Sequence, residues 1–128
     1  MPEPYILRYR GLKRTPLQRK PWGADSRAIY QSENDFQSQV EELAGYCGWT
    51  TFHVYNPRRS PAGFPDLVLF RERIIFAELK TRRPRDGRAG KLMPAQIEYA
   101  QTIQKAGGEY YSWLYPDNWD ELVEVLKK

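Results

Sequence analysis

Asp66, Glu78 and Lys80 stand on two short apolar runs, Asp66-Leu67-Val68-Leu69-Phe70 and Ile74-Ile75-Phe76-Ala77-Glu78-Leu79-Lys80. Each run is strand-sized, and a charge on a buried strand is costly unless it is paired or holds a metal. Alternate residues of a strand share a face, so Glu78 and Lys80 point one way and Leu79 points into the other layer. Arg71-Glu72-Arg73 reads as a tight, charged hairpin turn. Pairing the two runs through it carries Asp66 to the end that bears Glu78 and Lys80. Hard cations such as Mg2+ take oxygen ligands, often one or two carboxylates completed by water and substrate phosphate. Asp66 and Glu78 supply the carboxylates, with the Leu79 backbone carbonyl in reach. Lys80 can orient a water or act as a fixed positive charge in the transition state. The chemistry these residues favour is metal-dependent phosphodiester hydrolysis.

The surrounding elements must position this set. Ser32, with Asp35 three residues on, opens a helix whose apolar positions Phe36, Val40, Leu43, Ala44 and Cys47 recur at helical spacing until Gly48. Glu33, Gln37 and Glu41 line a neighbouring stripe of it. Trp49–Tyr55 is rich in aromatic and β-branched residues and reads as a strand. Asn56–Gly63 is a loop, and the two charged runs are the second and third strands. Thr81–Lys91 is a long polar loop. Pro94 suits the first turn of a helix that runs to about Ala106 and stops at Gly107-Gly108, with Ile97, Ala100 and Ile103 as its apolar face. Glu109–Tyr115 is a fourth strand, and Asp117 is placed to cap a last helix buried through Trp119, Leu122, Val123 and Leu126. The order is α-β-β-β-α-β-α, an α/β fold with a mixed central sheet flanked by helices.

The 128 residues divide into a Pro-rich basic arm, 1–31, and one domain, 32–128. The net charge of +4 is uneven. The arm holds seven Lys and Arg against Glu3 and Asp25, whereas the domain holds thirteen against fourteen acids. Basic zones on a nearly neutral body suit a polyanionic partner such as nucleic acid. One Cys and one His argue against a disulfide framework and against a Cys/His zinc site. No apolar run approaches the roughly 18 residues of a membrane span, and no signal-like segment opens the chain, so the expectation is a cytoplasmic protein with no membrane partner.

Pro65-Asp66, followed on the next strand by Glu78-Leu79-Lys80, resembles the PD-(D/E)xK nuclease superfamily. The Gly63-Phe64-Pro65-Asp66 lead-in and the Pro94-Ala95-Gln96 helix start resemble its VRR-Nuc branch. The likeness covers about 32–115. It implies a restriction-endonuclease-like core and a Mg2+- or Mn2+-dependent DNA endonuclease that leaves a 5′-phosphate and a 3′-hydroxyl. Asp66 and Glu78 would bind metal, Lys80 would act on the water, and Gln96 would face the site and orient water or phosphate. An acid from the first helix would complete the metal site. Glu33 is the choice, ahead of Glu41. Met93 departs from the Ser or Thr that often caps this helix in the family, which leaves the helix start less well fixed. Stand-alone relatives of this size resemble Holliday-junction resolvases from phage or mobile elements. That implies a homodimer acting on branched DNA in a bacterial or phage-infected cell.

Arg58 and Arg59, just before the lead-in, are placed to grip phosphates, and Arg82, Arg83, Arg85, Arg88 and Lys91 read as a mobile DNA-facing flap. His53 is read as a structural residue near the site, not as a base. The alternative function is a nucleic-acid-binding module of the same fold without cleavage.

Overall fold

A computed structural model describes residues 31–53 and 61–128. The expectations for the arm before residue 31 and for Arg58 and Arg59 lie outside these residues. The order is α1 (Glu33–Tyr46), β1 (Thr50–His53), β2 (Leu67–Phe70), β3 (Ile74–Thr81), α2 (Pro94–Lys105), β4 (Glu109–Tyr115) and α3 (Trp119–Lys127). Among the described residues this is an α/β arrangement of three helices on a four-stranded mixed sheet, with strand order β1-β2-β3-β4. β1/β2 and β2/β3 are antiparallel, while β3 and β4 run parallel through the α2 crossover.

Alternation along the strands splits the sheet into two faces. Leu67, Leu69, Ile75, Ala77, Leu79, Trp113 and Tyr115 form one, buried under α1 through Phe36, Val40, Leu43 and Ala44, and under α3 through Trp119, Leu122, Val123 and Leu126. Ser32 opens α1 as expected, its Oγ accepting the Asp35 N–H at 3.1 Å. The Arg71-Glu72-Arg73 turn does more than reverse the chain. The Arg71 guanidinium donates to the Cys47 and Leu126 carbonyls at 3.0 and 3.2 Å and lies over the Trp49 ring, while Arg73 donates to the Val125 carbonyl at 3.0 Å. The turn thus supplies donors to the C-terminal ends of α1 and α3, which carry unpaired carbonyls and partial negative charge.

The other face carries Val68, Phe76, Glu78, Lys80, Tyr110 and Ser112. Phe64 packs edge-on against Phe76 and Tyr99, which seats α2 over this face. Two expectations change. Ile97 is 43% exposed, so α2 buries Ala100 and part of Tyr99 and Ile103 rather than the stripe that includes Ile97. Asn118, not Asp117, is the N-cap residue of α3; its Oδ1 accepts the Leu114 N–H, and the Asp117 carboxylate is held by Arg82.

Candidate active site

The second and third strands meet in the register Leu67↔Ala77 to Phe70↔Ile74. Extending that ladder by one hydrogen-bonded pair sets position 65 opposite Leu79. Proline has no N–H, so the ladder cannot close on the Leu79 carbonyl there. The Asp66 side chain takes the other half of the pair, Oδ2 accepting the Leu79 N–H at 3.0 Å. Pro65 thus ends the β2–β3 ladder and supplies no N–H to the Leu79 carbonyl on that side, while Asp66 is fixed by the strand it faces.

Gly63 sets the approach. Its φ is +90°, and a Cβ there would lie 2.4 Å from the carbonyl carbon and oxygen of Ala95. The lead-in and the first turn of α2 are therefore in backbone contact. Gly63→Ala is expected to lower stability by about 2–4 kcal/mol, from left-handed strain and overpacking together. A urea unfolding midpoint equal to wild type would show that the contact yields freely.

Glu78 is 2% exposed, the one charged residue in the core of the described chain. Its Oε2 accepts from the Gln96 amide at 2.8 Å and from the Lys80 ammonium at 3.3 Å. Its Oε1 is buried and has no hydrogen-bond partner among the described residues. Burial pushes the carboxyl up to about 8; the Asp66 charge and a hydrogen bond shared with it add to the rise, and Lys80 opposes it. Gln96 is itself clamped at both ends, its Oε1 accepting the Met93 N–H at 2.7 Å. The weakness expected from Met93 is therefore made good by Gln96, which fixes the helix start and aims its amide at Glu78.

Glu33 opens α1 at the same end of the sheet. Its carboxyl is raised by desolvation, lowered by Lys80 and raised by Asp66, so it lies within the field of both. Glu41 is engaged elsewhere, accepting from Thr51 and Gln37. Among the described residues no three His, Cys, Asp or Glu side chains gather closely enough to hold an ion. Glu33 stands at the border of the Asp66–Glu78 pair rather than within it.

His53 pairs with Leu67, and its side chain falls on the sheet face opposite Glu78. Tyr110 is a site residue that strand alternation alone does not single out. It stands on β4 diagonally from Glu78, its hydroxyl buried without a partner among the described residues and pushed up to about 12 by burial and by the Glu78 and Asp66 charges.

The basic loop is more organised than a flap. Arg83 N–H donates to Arg88 O, Gly87 N–H to Arg83 O and Gly90 N–H to Thr81 O, with an antiparallel bridge between Arg82 and Ala89. Arg82 is bound to Asp117 and Arg83 to Asp86, whereas Arg85, Arg88 and Lys91 are exposed.

An orphaned buried carboxylate oxygen, a fixed second carboxylate and a backbone carbonyl at the end of its ladder form a hard-oxygen donor set. Mg2+ or Mn2+ fits that chemistry, with water and substrate phosphate filling the remaining positions. Compared with protein-family models, curated proteins and solved structures, the chain matches none. No helix among the described residues is long and apolar enough to cross a membrane.

Proposed function

We propose that this chain is a metal-dependent DNA endonuclease of the PD-(D/E)xK kind, in its VRR-Nuc form, acting on branched DNA. The observation that carries the proposal is Glu78, a buried carboxylate with one oxygen unpartnered among the described residues, beside Asp66 and Lys80. A buried carboxyl of this kind costs stability, and strongly shifted carboxyls gather at functional sites. Asp66, Glu78 and the Leu79 carbonyl would hold Mg2+ or Mn2+, which when bound supplies a Lewis acid at the phosphoryl oxygen and a more acidic water. Lys80 directs its ammonium into the same space and can hold the attacking water or the developing negative charge. Gln96 keeps Glu78 in place through its amide hydrogen bond.

A homodimer is part of the proposal. Phe52, Phe70 and Ile74 leave an apolar strip on the sheet face beside α2, each at least 40% exposed.

Calorimetric titration with Mn2+ tests the site. Wild type is expected to bind the ion, and Asp66→Ala to lose at least tenfold in affinity. Equal binding by the two proteins would remove Asp66 from the metal site and leave the three charges as a structural ion network.

A further inference from the structure

The loop between β3 and α2 carries five basic residues, and its shape is fixed by its own hydrogen bonds. Arg82 is central to that shape. Its Nε and Nη2 donate to the two Asp117 oxygens at 2.9 and 2.7 Å, and its Nη1 donates to the Gly87 carbonyl at 2.7 Å. All three guanidinium nitrogens are therefore committed, and the bidentate pair ties the loop to the turn before α3. Gly87 has a φ of +73°, a conformation that glycine adopts without strain.

Against this loop lies a cleft of about 490 Å³, lined by Glu33, Thr81, Arg83, Arg88, Gly90 and Lys91, among others. Arg83 is spent on Asp86. Arg88 and Lys91 have no acidic side chain within ion-pair distance among the described residues, so theirs is the unpaired positive charge of the cleft, beside the Glu33 carboxyl. The cleft adjoins the candidate active site: Glu33, at the start of α1, lines it, and Gly90 lies against the Lys80 stem, where a Cβ would be 3.3 Å from the Lys80 Cδ.

We infer that this cleft is a subsite for a backbone phosphate of nucleic acid, next to the one cleaved, with Arg88 and Lys91 as its ligands. Arg82 and Asp117 are positioning residues that build it without touching the strand. The inference rests on the reading of the neighbouring site as a nuclease centre. It divides the basic loop, assigning Arg88 and Lys91 to the phosphate and Arg82 to the scaffold.

The test is fluorescence anisotropy with a labelled oligonucleotide in chelator, so that no strand is cut, together with calorimetry using inorganic pyrophosphate. The double variant Arg88→Ala, Lys91→Ala changes two exposed side chains and is expected to bind the oligonucleotide about tenfold more weakly, with the salt dependence flattened by about one to two counterions. Asp117→Asn gives the sharper result. Removing an acid should tighten binding to a polyanion if only net charge matters. Loss of the clamp should weaken it instead, about fivefold, and Arg82→Lys should match it although the charge is kept. Tighter binding by Asp117→Asn, or unchanged binding by Arg82→Lys, overturns the positioning role. Undiminished binding and cleavage by the double variant overturns the subsite and leaves the nuclease proposal standing. Pyrophosphate binding that the double variant loses, in a wild type that ignores the oligonucleotide, keeps a phosphate cleft and removes nucleic acid. A wild type that binds neither probe overturns the inference.

Discussion

Lys80→Ala is expected to keep its hold on metal and on DNA while turnover falls by roughly a hundred- to ten-thousand-fold. The Lys80 side chain is 14% exposed, and its ammonium lies 3.3 Å from Glu78 Oε2. It shares a sheet face with Glu78 and packs its stem near Gly90, so the charge enters the site from one side only. Alanine removes that charge without adding bulk. It also removes the one group that lowers the Glu78 carboxyl, so binding is to be compared at saturating metal and above pH 8. Lys80→Arg should not restore the rate, because a planar guanidinium cannot occupy the position of a compact ammonium. Single-turnover cleavage beside a Mn2+ titration separates the two quantities. Full activity in Lys80→Ala would take the residue out of the mechanism. Lost metal binding would make it a structural counter-ion.

Glu78→Gln should make the metal-free protein more stable at neutral and alkaline pH while abolishing metal binding. The groups that face this carboxyl are Asp66 just before β2, Lys80 on β3 and Tyr110 on β4, with the Gln96 amide above and Glu33 at the border. The folded carboxyl titrates near 8 and the unfolded one at the usual value near 4.5. Between those values the folded state holds a proton that the unfolded chain has released. The stabilising effect of the protonated group is therefore complete below about 4.5, and it is lost as pH rises through about 8. Glutamine has no such loss. At pH 8.5 in chelator the variant should be more stable by about 2–4 kcal/mol, less than the full shift would give because Lys80 loses its partner. Melting curves at pH 4 and 8.5 check this: little difference at the first, a clear gain at the second. The same linkage predicts that wild-type Mn2+ affinity rises about tenfold per pH unit below 8, since the ion must displace one proton. A variant less stable than wild type at pH 8.5 would mean that Glu78 is a structural anchor.

The sequence makes the local half of this molecule legible. Alternation alone puts Glu78 and Lys80 on one face and Leu79 on the other, and the three-residue turn sets Asp66 at their end. Ser32, Pro94 and the glycines mark helix ends because caps are local signals. What could not be read depends on partners distant in the chain. The parallel register of β3 with β4, which brings Tyr110 beside Glu78, has no turn to set it and follows from how α2 packs. Arg82 and Asp117 are 35 residues apart, and their pairing moves the α3 N-cap to Asn118. Arg71 and Arg73 read as turn charges until two helix ends are found beneath them. Pro65 gains its meaning once the register shows that its missing N–H falls opposite Leu79.

The central claim is that Asp66, Glu78 and Lys80 form a metal-dependent nuclease centre. Its most direct test incubates the wild-type chain with a four-way junction, a flap, a linear duplex and single-stranded DNA, with Mg2+, with Mn2+ and with chelator. The account predicts cleavage of a branched substrate with either ion, a 5′-phosphate at the cut, and none with chelator or with Asp66→Ala. No cleavage of any substrate with either ion, from protein that still binds the DNA, would contradict it.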